Sequence, residues 1–126
     1  MKWGLIPSYT KKDEKLDFFR MFNARSETVS EKPAFRRLVH SKRAIVAMHG
    51  YFEWHKPNSF EHQPYYVTLT SGIMYMAALY DSWKSNETDK ELFTFTLLTK
   101  EATNEVAWIH HRMPVNIHSV FFNNRY

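Results

Sequence analysis

Tyr65-Tyr66-Val67-Thr68-Leu69-Thr70-Ser71-Gly72-Ile73-Met74-Tyr75-Met76-Ala77-Ala78-Leu79-Tyr80 is the stretch on which the fold class turns. Two runs of β-forming residues flank Ser71-Gly72, a pattern that predicts two strands closed as a hairpin. Tyr65, Val67 and Leu69 alternate with Tyr66, Thr68 and Thr70, which gives the first strand a drier face. The same chemistry extends outward. Residues 44–48 are apolar and run up to Gly50, Tyr51-Phe52-Glu53-Trp54 continues in aromatic strand residues, and Phe93, Phe95 and Leu97 alternate with Thr94 and Thr96. Helical signals are few. Phe35, Leu38 and Val39 have i, i+3, i+4 spacing behind Pro33, which predicts a short helix with Arg36 and Arg37 outward. Thr99 as a cap, Glu101 in the first turn and Pro114 beyond predict a second helix over residues 100–109. Residues 1–10 read as a strand end and a Pro7 turn, and the polar residues 81–91 as a surface loop. Strands in the majority with a few short helices make an α+β domain.

A chain of 126 residues is expected to form one domain. With 44% hydrophobic and 24% charged residues it has the composition of a globular protein rather than of a disordered one. Aromatic residues reach 17%, enough for a core and for surface platforms as well. There is no cysteine, which excludes a disulfide scaffold, a thiolate zinc site and a cysteine nucleophile within these residues. No apolar run has the length of a membrane span or of a signal peptide, so an intracellular protein is expected. The net charge is +4, and it is unevenly spread: residues 1–43 hold eleven Lys/Arg against five Asp/Glu, the remainder six against eight. A basic half fits a polyanionic partner such as nucleic acid, and equally a solvated lysine face.

Glu53 lies between Phe52 and Trp54. If it is buried, its carboxyl suits general acid/base work; if alternation turns it outward, it is an ordinary surface acid. His110 and His111, followed by Arg112, supply groups that titrate near neutrality. Glu53 and His55 lack a recognised ligand spacing to go with them, so no metal site is expected. Asn23-Ala24-Arg25-Ser26-Glu27 offers donors for a phosphate or sugar oxygen, or a helix cap at Ser26. Trp3, Tyr9 and Trp54 serve either as base-stacking platforms or as core. With three glycines and no glycine-rich loop, no phosphate cradle or nucleotide cofactor is implied.

Taken in order, Trp3-Gly4-Leu5-Ile6-Pro7, Asn23-Ala24-Arg25-Ser26-Glu27-Thr28, Gly50-Tyr51-Phe52-Glu53-Trp54, Gln63-Pro64-Tyr65, Phe95-Thr96-Leu97-Leu98-Thr99 and Ile109-His110-His111-Arg112-Met113-Pro114 resemble the SRAP (SOS-response-associated peptidase) family of abasic-site processing proteins. The resemblance covers residues 2–115. It implies a mainly antiparallel, barrel-like β fold with a few short helices, made incomplete by a missing N-terminal segment. Residues 1–115 would be a partial domain of this kind and residues 116–126 a divergent tail. The implied partner is single-stranded DNA carrying abasic sites, with no cofactor and no membrane. The implied compartment is the nucleus in a eukaryote, or the cytoplasm and nucleoid in a bacterium. Family members carry a cysteine after the initiator methionine. Its exposed α-amine forms a Schiff base with the ring-opened sugar, and its thiol closes a thiazolidine crosslink; removal of that methionine is the supposed peptidase activity. By matching motifs, the resemblance assigns a catalytic neighbourhood to Asn23, Glu53 and His110, with Asn23 beside the sugar and the other two moving protons. It assigns Arg25 and Arg112 to the DNA surface, Thr99 to the pocket lining and Trp54 to the place after the glutamate. Position 2 is Lys and no cysteine is present, so this chain is expected to be a truncated or fragmentary relative without the crosslinking nucleophile. Three expectations follow: a domain that retains part of the DNA surface, a lesion-indifferent nucleic-acid or protein interaction module, or a fragment that does not fold alone.

Overall fold

The computed structural model describes residues 1–11, 13–58, 60–70, 72–84 and 90–117. Among these residues the elements run β1 (Lys2–Trp3), β2 (Asn23–Arg25), α1 (Pro33–Arg36), β3 (Arg43–Met48), β4 (Gly50–His55), β5 (Gln63–Thr68), β6 (Met74–Lys84), β7 (Glu91–Glu101) and β8 (Arg112–Pro114). The organising pair is β6 with β7, two antiparallel strands of 11 residues each, in register from Ala78↔Leu97 to Lys84↔Glu91. β3 pairs antiparallel with the first half of β6, from Arg43↔Leu79 to Met48↔Met74. β8 pairs antiparallel with the end of β7, beyond the point where the β6–β7 pairing ends. The other edge of β7 takes two short parallel partners, β1 at Thr94–Phe95 and β2 at Leu97–Thr99. The result is a mixed sheet curled into a half-barrel. β4 and β5 form a separate two-stranded antiparallel sheet, from Gly50↔Thr68 to His55↔Gln63.

Two apolar clusters hold the main sheet. Leu5, Ala24, Val29, Leu38 and Leu79 pack on one side with Phe35 and Val39 against them. Met74, Met76, Ala78 and Leu97 pack on the other, joined by the inward residues of β3 (Ala44, Val46 and Met48) and by Phe95. With apolar clusters on both faces, β6 and β7 are buried on both sides at their centres, as a strand in the middle of a sandwiched sheet must be. Thr94 and Thr96 are fully buried, and the Thr94 hydroxyl accepts the Ile6 N–H at 2.8 Å.

A buried carboxylate ties three segments together. Asp81 on β6 accepts hydrogen bonds from the Ser8 N–H at 2.7 Å and from Lys42 Nζ at 2.7 Å, and it pairs with the Arg37 guanidinium. Its own neighbour, the Ser82 N–H, donates at 2.9 Å. Burial pushes the Asp81 carboxyl up, and the donors from Lys42, Ser8, Ser82 and Arg37 together outweigh it, leaving the group below its ordinary range.

Several expectations are corrected. The runs flanking Ser71-Gly72 are both strands, yet they do not pair: β5 is bonded to β4 and β6 to β3 and β7. Gly72, with φ of 93°, turns the chain from one sheet to the other rather than closing a hairpin. Residues 81–84 belong to β6, since Asp81 and Trp83 are buried there; residues 85–89 lie outside the described residues. No helix forms over 100–109. β7 continues through Glu101, and residues 104–109 are turns closed by bonds such as Ala107 N–H to Thr103 O at 2.9 Å. The short helix behind Pro33 is present, with Leu38 buried just beyond it, but Arg37 turns to Asp81 rather than to solvent. Ser26 caps no helix; its N–H donates to Thr99 O at 2.8 Å. Residues 118–126, most of the expected divergent tail, lie outside the described residues.

Candidate functional site

A cavity of about 640 Å³ lies where β4 faces the main sheet. Its floor is apolar, made by Val46 and Met48 of β3 and by Phe95 and Leu97 of β7. Its polar groups come from segments far apart in sequence: Asn23 on β2, Glu53 on β4, Thr99 on β7, and His110 with Arg112 at the start of β8. Trp3 and Trp54 also line it. Seven of the nine residues singled out from the sequence therefore meet around one cavity. The other two do not line it. Arg25 shares the Asn23 face of β2, opposite Thr99 in register, and is exposed. Tyr9 lies elsewhere, with the Arg37 guanidinium 5.3 Å from its ring centre.

Glu53 is half-buried at the cavity rather than turned out to open solvent. Phe52 and Trp54 are the more exposed residues of β4, 60% and 47% exposed, while Tyr51 and Glu53 are half-buried, and all four border the cavity. The Glu53 carboxylate accepts the Trp54 N–H at 3.1 Å. Burial, reinforced by the negative charge of Glu53, pushes the Tyr51 phenol up. The aromatic pair Phe52–Tyr66 is in contact across the β4–β5 ladder, with ring centres 5.0 Å apart.

His110 is fixed by its own loop. Nδ1 sits 3.1 Å from the Arg112 N and 3.1 Å from the Arg112 carbonyl O. When Nδ1 accepts the Arg112 N–H, the proton of the neutral ring is on Nε2; when Nδ1–H donates to the carbonyl, Nε2 is a free base. Either tautomer has a partner, so the ring can change its proton position without losing its place. His111 is exposed, and its ring rests 4.4 Å from that of His110, so the two side chains lie together rather than apart. His55 packs edge-on against Tyr65 and lies against Trp108, with ring centres 6.4 and 5.6 Å away. Among the described residues no group of three or more His, Cys, Asp or Glu side chains converges as for a metal ion.

Arg112 is held on two sides. Its Nη1 and Nη2 donate to the two Glu27 oxygens at 2.8 and 2.9 Å, a fork-on-fork ion pair, and Nη2 also donates to Thr99 O at 2.7 Å. Among the described residues its buried Nε has no hydrogen-bond partner. The Arg112 bond, assisted by the backbone N–H groups of Glu27 and Glu101, takes the Glu27 carboxyl down to about 2. Glu27 is the residue that sequence reasoning left without a role. Its partner is 85 residues away, and no local pattern marks such a pair. Tyr51 was equally unassigned, although its alternation with Glu53 marks it as a neighbour on the same face. Trp3 is anchored by its indole N–H, which donates to Phe22 O at 3.0 Å.

A half-barrel sheet whose cavity gathers an asparagine, a glutamate and a histidine from separate motifs defines the class. The chain matches the family described as SOS response associated peptidase (SRAP) over residues 1–124, and it belongs to that family. It is 40% identical over 116 residues to the abasic site processing protein YoaM of Bacillus subtilis (strain 168), covering 91% of this chain and 50% of YoaM. It is 37% identical over 115 residues to the abasic site processing protein YMR114C of Saccharomyces cerevisiae, covering 90% of this chain and 30% of that protein. Among solved structures it is similar to a protein from Bacteroides thetaiotaomicron, with a TM-score of 0.82, 35% identity, and coverage of 92% of this chain and 52% of the other. The chain thus spans half or less of the length of these curated relatives.

Proposed function

We propose that the cavity receives an abasic deoxyribose of single-stranded DNA. The observation that carries this reading is the convergence of Asn23, Glu53, Thr99 and His110 on one cavity of about 640 Å³. That volume lies within the range that small-molecule sites occupy, roughly 300–1,000 Å³. In this reading the apolar floor takes the sugar carbons where a base is missing. Asn23, with donor and acceptor on one side chain, orients the sugar oxygens. Glu53 and His110 exchange protons with the ring-opened aldehyde and its hydroxyls, each acting as acid in one direction and base in the other. Trp54 and Trp3 stack on flanking bases, and Arg25 and Arg112 meet the phosphates.

These 126 residues contain no cysteine, so their share of the chemistry is recognition and proton transfer. Thiazolidine closure needs a thiol presented to the same cavity from outside them. The names of YoaM and YMR114C, both abasic site processing proteins, support the assignment of substrate. A DNA substrate locates the protein in the nucleus of a eukaryote, or in the cytoplasm and nucleoid of a bacterium. Among the described residues no helix is long and apolar enough to cross a membrane.

The test is fluorescence anisotropy with a labelled single-stranded oligonucleotide bearing one ring-opened abasic site, set against the same strand intact. Tighter binding to the abasic strand is expected, with the preference lost in Asn23→Ala and in His110→Ala. Equal affinity for both strands would overturn the reading. It would leave a lesion-indifferent single-strand binder that uses the exposed Phe52, Trp54 and Trp3 rings.

A further inference from the structure

We propose that Glu27 stands in for a DNA phosphate: its carboxylate occupies the Arg112 fork at the cavity, and a phosphodiester of the bound strand displaces it. This inference rests on the DNA-binding reading above and adds to it an internal competitor. Three observations support the exchange. First, the contact is of the kind a phosphate makes. Two carboxylate oxygens meet Nη1 and Nη2 at 2.8 and 2.9 Å, and a phosphodiester offers two unesterified oxygens to the same planar edge. Second, the pair is asymmetric. The Arg112 side chain is 18% exposed and the Glu27 side chain 48%. Arg112 lines the cavity and Glu27 does not, so Glu27 grips the guanidinium from outside.

Third, Arg112 does not depend on Glu27 for its position. Nη2 is also bonded to Thr99 O at 2.7 Å and lies 3.3 Å from the Thr99 hydroxyl, and β8 is paired with β7 at Thr99↔Pro114 through Glu101↔Arg112. Departure of the carboxylate leaves the fork standing, while the carboxylate itself passes into water that already reaches it. The Glu27 end of the pair is half-exposed and screened by solvent, so its carboxylate gives up less on leaving than a buried partner would. The charge balance closes: one anion leaves the guanidinium as another arrives, and the Glu27 charge is returned to solvent.

The experiment is anisotropy with a short labelled oligothymidine at fixed low salt. Glu27→Gln is expected to bind about fivefold more tightly than the wild type, because the fork is vacated and one repulsive charge removed. Glu101→Gln removes a like charge that also acts on Arg112 without occupying the fork, and is expected to change affinity by less than about twofold. In an Arg112→Met background, Glu27→Gln is expected to have no effect. An unchanged or weaker Glu27→Gln, an equal gain in Glu101→Gln, or the same gain without Arg112 would each overturn the exchange. Glu27→Asp, which keeps the charge but shortens the reach, is the second variant; a smaller gain is expected, and no gain overturns the idea if Glu27→Gln fails to fold. Should the wild type bind neither intact nor abasic strand, the DNA-binding reading falls and the exchange with it. Should it bind while Glu27→Gln gains nothing, only the exchange falls.

Discussion

Asp81 is the residue on which most separate parts of the chain depend. It is fully buried, and it joins the Ser8 turn, Arg37 beyond α1 and Lys42 before β3 to the centre of β6. Asp81→Asn keeps the shape but removes the charge that both cations face, and it is expected to cost about 2–3 kcal/mol in urea unfolding. The pH dependence has a definite sign. Asp81 and Glu27 both have native carboxyls below their ordinary values of 3.8 and 4.5. Their contributions are therefore in place above those values and are lost as pH falls through the native ones, which for Glu27 means between 4.5 and about 2. The urea midpoint is expected to fall across that acid window, and Asp81→Asn to flatten the fall. At this scale the sequence was informative where a motif carried the residue. Asn23, Glu53 and His110 stand in separate motifs, and the cavity gathers all three. It was silent where a residue's meaning comes from a distant partner. Nothing local distinguishes Asp81 in a polar run from a loop aspartate, or Glu27 from a surface acid.

Elements were legible when their own residues decided them and illegible when tertiary pairing did. The strand runs of β3, β4, β5 and β7 were visible as apolar or alternating stretches, and Pro33 marked α1. The pairing of β5 with β6 was misread because a two-residue turn signal records only that the chain bends. It does not record which edge the next strand finds. The helix expected after Thr99 failed for a related reason. The edge of β7 at residues 99–101 is claimed by β8, which keeps those residues extended although their caps and charges favour a helix. β1 offers a test at this scale. Gly4 ends it with φ of 103°, and a Cβ there would run into the Phe18 carbonyl oxygen. Gly4→Ala combines a disfavoured backbone with a backbone clash and is expected to lower stability by roughly 2–4 kcal/mol in urea unfolding. Gly72→Ala, with the same sign of φ but open space around it, is expected to cost less, about 1 kcal/mol.

On the scale of the molecule, the cavity is a joint between unequal partners. One wall is the curled sheet centred on β6 and β7; the other is the two-stranded β4–β5 sheet that carries Glu53. A two-stranded sheet alone is marginal in water, so the Glu53 wall is expected to open before the β6–β7 wall. Native-state hydrogen exchange is expected to show the amides of β4 and β5 losing protection at lower free energy than those of β6 and β7. Equal protection across both sheets would mean that they unfold as one unit.

The parallel pairing of β1 and β2 with β7 also sets a timetable. Lys2 and Trp3 find their places beside Thr94 and Phe95, and Asn23–Arg25 beside Leu97–Thr99. A ribosome adding roughly 5–20 residues per second makes the first strand on the order of ten seconds before the strand that receives it. Lys2–Trp3 and Asn23–Arg25 must therefore wait in the nascent chain without their β7 partners, with the rings of Trp3 and Phe19 exposed. Translation of residues 91–114 then completes the sheet and the cavity together, so a chain stalled before residue 94 holds Asn23 and Glu53 but has no site in which they meet.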